Sequence, residues 1–126
     1  MRMRLELIPL TVSDVDRSIA FYRDVLGFAL DHDVSPGNGM RVVQLTPPGS
    51  ACSIAFGTGM GASAAVANIH LVVDDLETTR STLVSRGLDV SGIHDMGGGV
   101  RYAFFSDPDA NTWALQEISP GASLPE

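Results

Sequence analysis

The side chains best equipped for chemistry in this chain are three histidines (His32, His70 and His94) and a single cysteine, Cys52. His70 stands out. It lies two residues after Asn68 in an apolar run, Ile69 to Val73, that reads as a strand, and imidazole exchanges protons near neutral pH. It can act as an acid or base, donate to a ligand carbonyl, or serve as a structural histidine. Asn68, on the same strand face, can fix a carbonyl or hydroxyl or bond backbone at a sheet edge. His32 and His94 sit beside Asp31, Asp33 and Asp95, which suits solvated strand ends better than a reaction centre. Cys52 has no neighbouring cation in the sequence to favour a thiolate and reads as an inert thiol. Neither glycine-rich stretch is a phosphate loop. Gly97-Gly98-Gly99 precedes a strand rather than opening a helix, and Gly57-Thr58-Gly59-Met60-Gly61 lacks the Lys-Ser/Thr that would follow; both read as rims over a cavity.

The elements that must position these residues come in two copies. Residues 39–56 (GMRVVQLTPPGSACSIAF) face residues 99–116 (GVRYAFFSDPDANTWALQ) at an offset of 60, which aligns Arg41 with Arg101 and Pro48 with Pro108. Each copy reads as a strand, a Pro-containing turn and a second strand. Upstream, Val12-Ser13-Asp14-Val15-Asp16 faces Val73-Asp74-Asp75-Leu76-Glu77 at an offset of 61. Each of these segments follows an apolar strand and opens a helix, with Ser13 or Asp14, and Asp74 or Asp75, as caps. Val15, Ile19, Tyr22 and Leu26 make a buried stripe in the first helix, and Leu76, Leu83 and Val84 a sparser one in the second. Gly27 and Gly87 end the helices at equivalent places. The expected fold class is therefore α+β, two tandem βαβββ modules in a single domain. Module one spans residues 4–57, a linker 58–66, module two 67–118 and a frayed tail 119–126.

Composition narrows the function classes. A chain of 126 residues with 44% hydrophobic content can bury one core, and its apolar runs fall short of the ~20 residues that span a bilayer. A net charge of −7 disfavours nucleic-acid partners. One cysteine allows no internal disulfide, and with no signal-peptide pattern the expected location is cytoplasmic, with no membrane partner.

Two motifs then carry a resemblance over residues 5–118. Val12-Ser13-Asp14-Val15-Asp16-Arg17-Ser18 leading to Phe21-Tyr22-Arg23-Asp24-Val25-Leu26-Gly27-Phe28, and Phe105-Ser106-Asp107-Pro108-Asp109-Ala110-Asn111, resemble the first helix and closing turn of the glyoxalase/bleomycin-resistance (vicinal oxygen chelate) family. Ala110 stands where that family usually has Gly. The resemblance implies sheets curved around a cavity, helices outside, and a homodimer. Family metalloenzymes hold one divalent ion with four His, Glu or Gln side chains from the first and last strands of each module; those positions fall here on Leu7, Ile54, Asn68 and Ala114. Leu, Ile and Ala cannot coordinate, so no metal and no cofactor are expected.

Strand alternation then places Pro9 beside Leu7, Phe56 and Cys52 beside Ile54, His70 beside Asn68, and Thr112 and Gln116 beside Ala114 on the cavity side. The resemblance adds Tyr102 and Phe104, with Val42 and Gln44 as repeat equivalents. Trp113 falls on the opposite face, beneath a helix. Such a lining suits a small hydrophobic, aromatic partner held by stacking and a few hydrogen bonds. The expected function is metal-free sequestration of such a compound, of the antibiotic-resistance type. The alternatives are a metal-dependent lyase, isomerase or dioxygenase using misassigned residues such as His70 and Glu117, and a metal-independent acid–base enzyme built on His70.

Overall fold

The computed structural model describes residues 1–58 and 64–119, so most of the expected linker and tail, with the glycine rim at 59–61, lies outside the described residues. The chain divides into two compact units, Met1–Val66 and Ala67–Glu126.

In unit one, β1 (Leu7–Pro9) leads into α1 (Val15–Ile19), which continues as a π-helical segment over Ala20–Val25, and then β2 (Ala29–Gly37), β3 (Met40–Thr46) and β4 (Ser53–Thr58). Unit two repeats the order as β5 (Ile69–Val72), α2 (Leu76–Ser85), β6 (His94–Asp95), β7 (Val100–Ser106) and β8 (Thr112–Ile118). The sheets are ordered β1-β4-β3-β2 and β5-β8-β7-β6, each mixed, with the first strand parallel to the last and the others antiparallel. The βαβββ plan is thus present twice.

The repeat extends to individual bonds. Asp14 caps α1 by accepting from the Arg17 N–H (3.0 Å), and Asp75 caps α2 by accepting from the Thr78 N–H (3.0 Å). Both carboxylates sit where the helix dipole favours negative charge. Arg41 of β3 reaches Asp16 in α1 (3.0 Å), and Arg101 of β7 reaches Glu77 in α2 (3.0 Å), so each sheet is tied to its helix by the same pair of repeat positions. Gly27 (φ +79) and Gly87 (φ +91) take the left-handed conformation that ends each helix.

Each helix covers one face of its sheet. In unit one Tyr22 is fully buried and meets the rings of Phe28 (5.7 Å) and Phe56 (5.9 Å), above buried Val43, Leu45 and Ile54. In unit two Phe105 and Trp113 stack 6.1 Å apart beside Leu76, Leu83, Ala103 and Leu115. The expected stripes need two adjustments. Val84 is 44% exposed, because Leu76 and Leu83 alone face the sheet. The π-helical turn, in which the Leu26 N–H donates to Phe21 O, leaves Leu26 half-buried.

One expectation is overturned by a count of turn residues. The turn between β3 and β4 takes Pro47 to Cys52, and that between β7 and β8 takes Asp107 to Asn111, one residue fewer. Strand β1 pairs Pro9 with Ala55, and β5 pairs His70 with Ala114. The last strands therefore correspond at an offset of 59, not 60, and a slip of one residue exchanges strand faces. Ile54 and Phe56 accordingly point at the helix and belong to the core, while Ser53 and Ala55 take the opposite face.

Candidate functional site

Directly paired residues share a face, so the strand registers define the surface of each sheet that its helix leaves uncovered. In unit one this surface carries Leu7, Pro9, Val42, Gln44, Ser53 and Ala55, with His32 opposite Gln44. Its polar feature is a chain in which Thr46 Oγ1 donates to Asp31 and meets Ser53 Oγ at 2.6 Å. The imidazole of His32 is the one ring among these residues.

Unit two is different. Val72, Gln116, Tyr102 and His94 form one row across all four strands, and His70, Ala114 and Phe104 form the next. The rings make a continuous platform: Tyr102 and Phe104 stack 6.1 Å apart at 7°, His70 meets Tyr102 edge-on at 5.6 Å, and His94 tilts against Phe104 at 5.7 Å. Phe104 is 41% exposed, unusual for a phenylalanine in a paired strand, and leaves an aromatic face open.

Two hydrogen bonds fix the polarity of the platform. Gln116 Nε2 donates to the Tyr102 hydroxyl oxygen (3.0 Å), which leaves the phenolic O–H free to donate onward. His70 Nδ1 lies 2.8 Å from the carbonyl oxygen of Asn68, which selects the tautomer with the proton on Nδ1 and leaves Nε2 as an acceptor. The platform thus offers a donor and an acceptor around stacked rings. Asn68 serves through its backbone, in the left-handed region at φ +58, with its N–H donating to Thr112 Oγ1 (2.8 Å).

Nine of the twelve sequence-derived site residues therefore lie on the two open faces: Leu7, Pro9, Val42 and Gln44 share that of unit one, and Tyr102, Phe104 and Gln116 that of unit two. His70 and Ala114 join the second group, Asn68 precedes its first strand, and Ile54 and Phe56 fall in the core. His94 was missed. Its signal was the offset of 60 from Val34, which pairs with Val42 just as His94 pairs with Tyr102.

The donor set does not fit the family's metal ion. The positions of the first and last strands hold Leu7 and Ser53, and Pro9 and Ala55, in one unit and His70 and Ala114, preceded by Asn68, in the other, so they bring one imidazole and no carboxylate. Glu117 faces α2, where it accepts from the Leu76 N–H (2.7 Å) and from Arg101 (2.7 Å); these bonds, the first foremost, hold its carboxyl below the usual range. Among the described residues no group of three or more His, Cys, Asp or Glu could hold a metal ion, and no helix is long and apolar enough to cross a membrane.

Solved structures share this architecture over nearly their whole length. TnmS3, an antibiotic binding protein from Streptomyces sp. CB03234, is 30% identical, with 94% of this chain and 98% of that one aligned at a TM-score of 0.81. A superfamily member from Sphaerobacter thermophilus is 30% identical over 92% of this chain and 98% of that one (TM-score 0.80). A glyoxalase/bleomycin resistance protein from Streptomyces sp. CB03234 is 31% identical over 89% and 98% (TM-score 0.74). No curated protein matches the sequence. The family model of the glyoxalase/bleomycin resistance protein/dioxygenase superfamily matches residues 4–115, and the chain belongs to that superfamily.

Proposed function

We propose that this protein binds and sequesters a small, largely aromatic molecule without a metal ion. The observation that carries the reading is the ring platform of His70, Tyr102, Phe104 and His94, with its one donor and one acceptor. A planar compound bearing a carbonyl and a hydroxyl can lie on Phe104 and Tyr102, accept from the Tyr102 hydroxyl and donate to His70 Nε2. The likeness to an antibiotic binding protein at 30% identity supports the same reading. The protein works as a homodimer, as is common in this superfamily, and in the cytoplasm, a reducing setting that suits a chain with one cysteine.

Titration with planar aromatic antibiotics, followed by recovery and mass analysis of the compound, tests the proposal. Saturable binding with the compound returned intact is expected, together with near-zero metal after incubation with Ni²⁺, Zn²⁺, Mn²⁺ and Fe²⁺ and removal of excess ion. One tightly held ion per chain would restore a metalloenzyme. Conversion that His70→Ala abolishes, with binding retained, would replace sequestration by acid–base catalysis.

A further inference from the structure

Both polarities of the platform are set by groups that lie behind its rings. Gln116 of β8 pairs directly with Tyr102 of β7, and it stands in its row between Tyr102 and Val72. Gln116 is buried, at 8% exposure, and the Val72 side chain offers no polar atom. The Tyr102 hydroxyl oxygen is therefore the neighbour in that row able to accept from Gln116 Nε2, and it does so at 3.0 Å. A phenol has one proton to give, and its ring-conjugated oxygen accepts poorly once one N–H is bound. Tyr102 is left as a donor to the open face. His70 is set the other way, because Asn68 O holds its Nδ1 proton (2.8 Å) and Nε2 of the neutral ring only accepts. A group over Tyr102 must therefore lack a proton, and a group at His70 must carry one.

We propose that Gln116, acting through Tyr102, is the positioning residue that makes this platform select the oxidation state of its ligand. The form it holds is a hydroxyquinone, with an aromatic carbonyl over Tyr102 and a phenolic hydroxyl at His70. Adding two electrons and two protons turns each quinone carbonyl into a hydroxyl. The oxygen above Tyr102 then becomes a phenol's, a weaker acceptor whose own proton meets an oxygen already bound by Gln116. The phenol at His70 is the same in both forms, so nothing there offsets that loss. The inference rests on the sequestration reading of the platform and adds which form of the ligand it keeps.

Titration of the full chain, without oxygen, with 2-hydroxyanthraquinone and with its reduced form tests this. The quinone should bind about 10-fold tighter, the factor of one hydrogen bond, which lowers the midpoint potential of the bound couple by about 30 mV. Gln116→Met keeps the length of the side chain and removes its N–H; it should bring the two affinities to near equality and erase the potential shift. Tyr102→Phe should do the same, and adding Gln116→Met to it should change the preference no further, with the fold of each variant followed by circular dichroism. Equal binding of the two forms by the native chain, tighter binding of the reduced form, or an undiminished preference in Gln116→Met overturns the inference. A further change of preference in the double variant overturns the route through Tyr102. Those results leave the platform itself standing, whereas binding of neither form defeats the sequestration reading and this inference with it.

Discussion

Val42 and Gln44 of module one occupy the repeat positions of Tyr102 and Phe104 in module two, as Pro9 does of His70 and Val34 of His94. Caps, helix-ending glycines and the arginine tie between sheet and helix are the same in both modules. The difference lies in the open faces: aliphatic and amide side chains in one, stacked rings with a placed donor and acceptor in the other. A duplicated frame fixes the positions and leaves the chemistry at those positions free to diverge. In this protein the stacked rings of the open faces are gathered in module two.

The largest effect should come from setting the core face of module one against the open face of module two. Phe56 is fully buried against Tyr22, so Phe56→Ala should lower unfolding free energy by about 3–5 kcal/mol, whereas Phe104→Ala, at an exposed ring, should cost under about 1 kcal/mol. Denaturant unfolding of both variants checks this, and equal losses would break the assignment of faces. Next, the double change Tyr102→Val with Phe104→Gln gives module two the face of module one. It should weaken binding of an aromatic ligand about 100-fold with the fold retained, as followed by fluorescence titration and circular dichroism.

A smaller effect separates the two hairpin turns. Asp107 accepts from the N–H groups of Asp109 (2.8 Å) and Asn111 (2.9 Å) and from Asn111 Nδ2 (2.8 Å), and Asn111 is fully buried. Asn111→Ala should cost about 1–3 kcal/mol by thermal or denaturant unfolding, since it strips a buried carboxylate of a donor. Ser50→Ala in the module-one turn, where the partners are exposed, should cost less.

Acid stability separates the modules least. Asp33 in module one is lowered mainly by its bond from Arg41; in module two Glu117 is lowered first by the Leu76 N–H and then by Arg101, and Asp75 by Thr78. A carboxyl whose folded value is depressed contributes stability that is present above its unfolded value and disappears as pH falls through the folded one. Unfolding monitored from neutral pH downward should therefore steepen below the ordinary carboxylate range, and Glu117→Gln should flatten that fall.

Most of the frame was legible because it rests on local signals that occur twice: Asp14 and Asp75 before an apolar period, Gly27 and Gly87 after it, and Arg41 aligned with Arg101. The face of module two was legible for the same reason, since β5 and β8 follow directly from countable motifs. The face of β4 was not. A ladder of aligned letters passes through the turn at an offset of 60, while the backbone absorbs Pro47 to Cys52 against the shorter Asp107 to Asn111 and resumes one residue out of step. Nothing in Ile54 or Phe56 considered singly reports which face it takes; the contact of Phe56 with Tyr22 and the pairing of Ile54 with buried Leu45 do. His94 was obscured by its acidic neighbour Asp95, because charge in sequence says little about where a two-residue strand aims its ring. The π-helical turn over Ala20–Val25 likewise leaves no periodic trace in so short a segment.

The extra residue in the module-one turn has a consequence for anyone rebuilding this protein. Because Phe56 is anchored against Tyr22 and Ile54 is buried on the same face, added length between Pro47 and Cys52 is taken up by the turn and leaves the strand's faces in place. That hairpin is therefore a natural place to splice in a reporter loop or an affinity tag. Its counterpart, knotted by Asp107 and Asn111, offers no such slack.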